Sequence, residues 1–130
     1  MIFDDEKLIR MLKDAPNGSE VKIFYFIAHN QPKEGIQGYQ TTKLQLQLDL
    51  NLKQRTIFAA LHWLEENILI NEIKQVETVD FMANPYFVMN NSPREERIAE
   101  WNRRCDIARD KKIAARKRKR LRELKNAAKQ

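Results

Sequence analysis

Gln54 and Arg55 stand side by side at the start of a strongly helical stretch, and the pair offers the most specific chemistry in the chain. A glutamine can hydrogen-bond an adenine edge and an arginine a guanine edge, each worth ~1–3 kcal/mol of discrimination when bidentate. Thr42, Lys43, Lys53 and Thr56 lie close by in sequence, with hydroxyl and ammonium groups that suit phosphate oxygens. Ala59 and His62 continue the same polar side, and Lys74 falls near a turn where it can reach a neighbouring backbone or minor groove. Farther on, Arg116-Lys117-Arg118-Lys119-Arg120 is an unbroken cationic run that neutralises phosphates without reading bases. The aromatic neighbours Phe58 and Trp63 are expected to pack rather than to stack on bases.

Catalytic chemistry is harder to assemble. The two histidines, His29 and His62, are separated by 32 intervening residues in different elements, and no His-x-His pair exists to hold a metal. Neither GxxxxGK[ST] nor GxGxxG occurs, so no phosphate-cradling loop is present. Asp4/Asp5, Glu65/Glu66 and Glu95/Glu96 are sequence neighbours. On a helix such neighbours point about 100° apart and do not converge on one proton or one metal. No enzyme, metal or cofactor is expected. Cys105 is the single cysteine, which excludes an intramolecular disulfide and a cysteine zinc site.

The elements that must position these residues fit one small domain with an appendage, for 130 residues at 42% hydrophobic and 32% charged. The net charge of +6 is unevenly spread: residues 1–93 carry nine Lys/Arg against twelve Asp/Glu, residues 94–130 fifteen against six. Such asymmetry fits a globular part with a basic arm for an acidic partner. The longest apolar run, Ile23 to Ala28, is too short to span a bilayer, and Asp4, Asp5 and Glu6 do not suit a signal peptide. A cytoplasmic location with no membrane partner is expected.

Leu8, Met11 and Leu12 predict a helix over 4–14, ended by Pro16-Asn17-Gly18. Ser19 is placed to cap a second helix over 20–30, although VKIFYFIA suits a buried strand equally well. A loop over 31–40 leads to a short strand at Tyr39-Gln40. Thr42 is the expected N-cap of a helix from Lys43 to about Asp49, despite the alternating Leu44, Leu46, Leu48 and Leu50. Leu50-Asn51-Leu52 makes the turn, with Asn51 suited to a left-handed conformation. Ile57, Ala60, Leu61 and Leu64 give one face of a helix over 53–67.

Two strands are then expected, Leu69 to Val76 and Phe81 to Met89, about a turn near Glu77–Asp80. Pro85 would demote the second strand to an edge or bulge. Ser92-Pro93-Arg94-Glu95 predicts a capping box with Pro at the first helical position, opening a long helix. Ile98, Trp101, Cys105 and Ala108 give it a narrow seam for docking or a small dimer contact. Beyond Lys111 there is little to bury, and fraying is expected. The fold class is thus mainly α with a small β-hairpin wing: a winged helix-turn-helix over 1–91, then a basic helix or partly disordered tail over 92–130.

Thr41-Thr42, the span Gln54 to Ile70 with its LEENILI ending, and MANPYFVMN carry a more specific likeness. Over about residues 21–91 the chain resembles the RepL-type replication proteins of Firmicute plasmids, with Asn84, Pro85 and Met89 matching their Asn-Pro-x-x-x-Met segment. The resemblance implies non-catalytic binding to double-stranded origin DNA and recruitment of host replication proteins. The long basic helix departs from that pattern. It leaves open a transcriptional repressor, a copy-control, partition or transfer regulator, or an adaptor for RNA or protein. Paired half-sites would suit a homodimer.

Overall fold

A computed structural model describes residues 2–3, 5–89 and 93–129. The helices are α1 (Asp5–Leu12), α2 (Gly18–Asn30), α3 (Lys43–Leu50), α4 (Gln54–Glu66) and α5 (Arg94–Ala128). The strands are β1 (Ile2–Phe3), β2 (Tyr39–Thr41), β3 (Ile70–Lys74), β4 (Val79–Ala83) and β5 (Val88–Met89). This is a winged helix-turn-helix: mainly helical, with a small three-stranded antiparallel sheet and a long C-terminal helix. No helix among the described residues is long and apolar enough to cross a membrane.

The ambiguous run VKIFYFIA is helix α2, because Ile23, Phe24, Ile27 and Ala28 then fall on one buried face. Its cap is Asn17 rather than Ser19. The Asn17 side chain accepts from the Ser19 N–H at 3.0 Å, and Glu20 accepts from the Asn17 N–H at 3.3 Å. In α3 the leucine alternation resolves into one buried residue, Leu46, while Leu44 and Leu48 are exposed. Thr42 does cap α3, accepting from the Gln45 N–H at 3.0 Å. Asn51 makes the turn at φ 51°, ψ 48°. Ile57, Ala60, Leu61 and Leu64 of α4 all reach the core against α2. A fully buried Leu or Ile of this kind contributes about 1.5–3 kcal/mol.

The sheet departs from the sequence expectation. Its order is β2-β4-β3, so β4 is the central strand and not an edge. The wing turns earlier, where the Gln75 N–H donates to the Thr78 carbonyl at 2.8 Å. Pro85 lies outside the strand, in a tight turn ordered by Asn84. There the Asn84 amide donates to the Ile68 carbonyl at 2.8 Å and its Oδ1 accepts from the Tyr86 N–H at 2.9 Å. The chain then forms β5, which pairs antiparallel with β1, Phe3 opposite Val88. The Asn-Pro segment is therefore a structural corner.

Pro93 takes the N-cap position of α5, one residue before the helix; the expected cap at Ser92 lies outside the described residues. α5 runs unbroken for 35 residues, about 50 Å, and continues as helix beyond Lys111. Ala, Arg, Lys, Leu and Glu dominate that stretch, all strong helix formers, with no Gly or Pro. Its docked face also differs from the apolar seam. Trp101 is buried, but Arg97, Glu100 and Arg104 are buried beside it and Ala108 is exposed.

Each of those charged groups is hydrogen-bonded. Arg97 donates to the carbonyls of Gly35 at 2.7 Å and Gln37 at 3.1 Å, and to Gln31 Oε1 at 3.2 Å. Arg104 bridges Asp80 Oδ1 at 2.6 Å and Glu100 Oε1 at 2.9 Å. Asp80 also accepts from the Gly38 N–H at 3.1 Å, a close approach that leaves no room for a Cβ at position 38. The root of α5 is thus clamped to β4 and to the loop before β2.

Candidate nucleic-acid interface

Because α4 buries one face, the opposite side forms a stripe: Gln54, Arg55, Phe58, Ala59, His62 and Glu66 are all exposed. Its amino-terminal end is the basic end. Lys53 precedes the helix, makes no side-chain cap, and leaves the first backbone N–H groups to an incoming acceptor. Gln54 and Arg55 take part in none of the side-chain hydrogen bonds or ion pairs among the described residues, so their donors are free. At the other end His62 pairs with Glu66 at 3.1 Å, both well exposed, which draws it away from Arg55 and toward the acidic C-terminus.

The other expected positions divide. Thr42 uses its hydroxyl oxygen to cap α3, which leaves its O–H to donate. Lys43 is engaged already: its Nζ lies 3.6 Å from Glu72 and 5.1 Å above the Phe58 ring. That contact explains why Phe58, expected to pack inside, is instead 44% exposed under a lysine. Trp63 packs against the core as expected. Lys74 is exposed at the end of β3, beside the wing turn, with Val76 fully exposed at the tip.

Thr56 faces a cleft of about 450 Å³ that it shares with Asn17, Gly18, Ser19 and Lys22. The starts of α2 and α4 therefore open on one polar hollow with a free lysine at its side, a geometry suited to a phosphate flanking a groove. Sequence reasoning missed Ser19 and Lys22. The signal was the Asn17 capping box, which fixes where α2 begins, but only the packing of α2 on α4 brings the two starts together.

Arg116, Lys117, Arg118, Lys119 and Arg120 are exposed on α5, apart from the α4 stripe. The last contacts of α5 with the domain are at the C-terminal end of α4, where Ala108, Arg109 and Lys112 line a cleft with His62, Glu65 and Glu66. The acidic end of α4 thus faces basic residues of α5. This arrangement partly offsets the acidic balance of residues 1–93, because Glu65 and Glu66 sit at the opposite end of α4 from Gln54 and Arg55 and Asp80 is paired with Arg104.

No protein-family model matches the sequence, and no curated protein does. Among solved structures, the transcriptional regulator HlyU from Vibrio vulnificus CMCP6 is similar with a TM-score of 0.45 and 20% identity, over 62% of this chain and 74% of that one. HlyU from Vibrio cholerae N16961 has the same TM-score of 0.45 and 20% identity, over 78% of this chain and 91% of its own.

Proposed function

We propose that the protein binds duplex DNA with sequence preference, laying the exposed stripe of α4 in the major groove, and acts as a regulator at the site it reads. One observation carries this: Gln54 and Arg55 are free and exposed at the uncapped, basic start of the second helix of a helix-turn-helix. In this reading Gln54 and Arg55 read bases, with Ala59 and His62 on the same face. Thr42, Lys53, Thr56 and Lys74 hold phosphates, and Lys43 does so only by leaving Glu72. Arg116 to Arg120 supply affinity without register.

The finer assignment is initiation of replication at a plasmid or mobile-element origin. It rests on the resemblance carried by Thr41-Thr42, Gln54 to Ile70 and Asn84 to Met89, and it competes with repression of a promoter by the same module. A homodimer on half-sites about 10–10.5 base pairs apart, and contacts to host replication proteins, belong to the origin model.

Selection of bound duplexes from a random pool at fixed salt tests the central claim, and footprinting separates origin repeats from a promoter overlapping the protein's own gene. Arg55→Ala should relax preference at one position by ~1–3 kcal/mol while random-sequence binding holds. Equal losses on selected and random duplexes would overturn base readout by α4.

A further inference from the structure

One turn along α4 from Gln54 and Arg55, the exposed stripe carries an aromatic ring where a polar group would be expected. Phe58 follows Gln54 by four residues and Arg55 by three, so on the helical wheel it falls between them. It lies about 5–6 Å farther along the helix axis than that pair. The ring is 44% exposed.

A scattered apolar residue on a surface is ordinary, but this one is held in place. The Lys43 Nζ lies over the ring, 5.1 Å from its centroid, and 3.6 Å from Glu72 Oε1. The Glu72 side chain is only 16% exposed, and its Oε2 is buried without a hydrogen bond. Drawing Lys43 away would strand that carboxylate, so the lysine stays and props the ring through its π face. A fixed phenyl ring offers no hydrogen bond to a base edge or a phosphate. The apolar group that a major groove presents is the C5-methyl of thymine.

Resting on the reading of α4 as the helix in the major groove, we propose that Phe58 is a thymine-reading residue. Its ring packs on the C5-methyl of a thymine within about two base pairs of the pair met by Arg55, given a rise of about 3.4 Å per pair. The preferred targets are thereby narrowed to duplexes with a T·A pair beside the Gln54–Arg55 position.

The test is selection from a random duplex pool at fixed salt, followed by a uracil scan of the selected duplex. Each thymine is replaced by uracil in turn, which removes one methyl and leaves every hydrogen-bonding group of the base in place. Uracil at one position should weaken wild-type binding about fourfold, the worth of one buried methyl group. With Phe58→Ala that penalty should vanish, and duplexes selected by the variant should no longer carry the thymine. Phe58→Leu, which keeps an apolar side chain, should retain part of the penalty. Because the ring is exposed, Phe58→Ala should leave the domain folded and its affinity for random duplexes unchanged. Arg55→Ala should lose preference at its own pair and keep the uracil penalty.

A scan without any sensitive thymine, or a penalty that survives Phe58→Ala, overturns the proposal, while base readout by Arg55 stands or falls on its own variant. Equal losses of Phe58→Ala on selected and random duplexes also overturn it. A pool that yields no preferred duplex overturns both this proposal and the DNA reading beneath it.

Discussion

Asp80 is the lone acid of a strand whose other members are Val79, Phe81, Met82 and Ala83, and its partners explain why it is tolerated there. The Gly38 N–H and the Arg104 guanidinium satisfy its oxygens inside the protein. A buried pair of this kind is costly to break from one side, because the remaining charge is stranded. Arg104→Met should therefore lower unfolding free energy by about 3–5 kcal/mol in a urea titration, while leaving the β2-β4-β3 sheet to be checked by amide exchange. Gly38→Ala should cost about 1–3 kcal/mol in the same assay, since a methyl there runs into Asp80 and the Phe81 backbone.

Glu100 adds a pH signature at the same place. The hydrogen bond from Arg103 outweighs burial and, with Arg104, holds the Glu100 carboxyl at about 2. A depressed carboxylate stabilises the fold fully above its unfolded value near 4.5, and that contribution disappears as pH falls from there toward 2. The melting temperature should drop over this window, and Glu100→Gln should flatten the drop. These residues were not legible as a cluster. Arg97, Glu100, Trp101 and Arg104 share a helix face by spacing alone, but periodicity does not tell a solvated charge from one whose counter-ion waits on a distant strand.

At the scale of elements, α4 and α5 end in different ways. α4 closes with the Ile68 N–H on the Glu65 carbonyl at 3.1 Å and the Leu69 N–H on the Leu64 carbonyl at 2.9 Å. This Schellman closure puts Ile68 at φ 59°, where glycine is the usual residue and a β-branched side chain is strained. Ile68→Gly should leave the fold intact and raise its stability by up to about 1 kcal/mol, read from the denaturation midpoint. From Ile113 onward every described residue of α5 is exposed, so its helicity there is local and weakly cooperative. Circular dichroism at 222 nm should show a gradual loss from the arm below the sharp transition of the domain. Deleting 113–130 should remove only the gradual phase.

Helical periodicity made α4 and the α3 turn readable from sequence, since each depends on residues within two turns of one another. The position of β4 and the pairing of β5 with β1 were not readable. Proline at 85 correctly forbids a central strand at that position, but it does not say that the strand stops two residues earlier. Two-residue strands carry no period at all, and their pairing is a long-range choice made by the whole domain. The same reason hid Ser19 and Lys22, whose relation to Thr56 exists only once α2 packs on α4.

The whole molecule separates charge along its length. The Gln54–Arg55 end of α4 is basic, the domain around it is acidic on balance, and the distal half of α5 is cationic on every side. In the DNA-binding model, truncation at residue 112 should weaken all duplexes alike. The slope of log affinity against log salt should flatten by roughly 0.9 for each phosphate contact the arm makes. An unchanged slope would mean that the arm touches something other than DNA.

The clamped root of α5 also has a mechanical side. The 16 residues from Ile113 to Ala128 project about 24 Å past the last contact with the domain. Arg97 and Arg104 fix the pivot, and the α4–α5 cleft lies between that pivot and the free end. Arg104 lies about 36 Å from the tip along the helix, so a rotation of about 10° there would swing the tip by about 6 Å, close to one helical pitch. Small adjustments in the packing of Trp101 are therefore amplified into displacements large enough to move a cationic side chain from one phosphate toward the next.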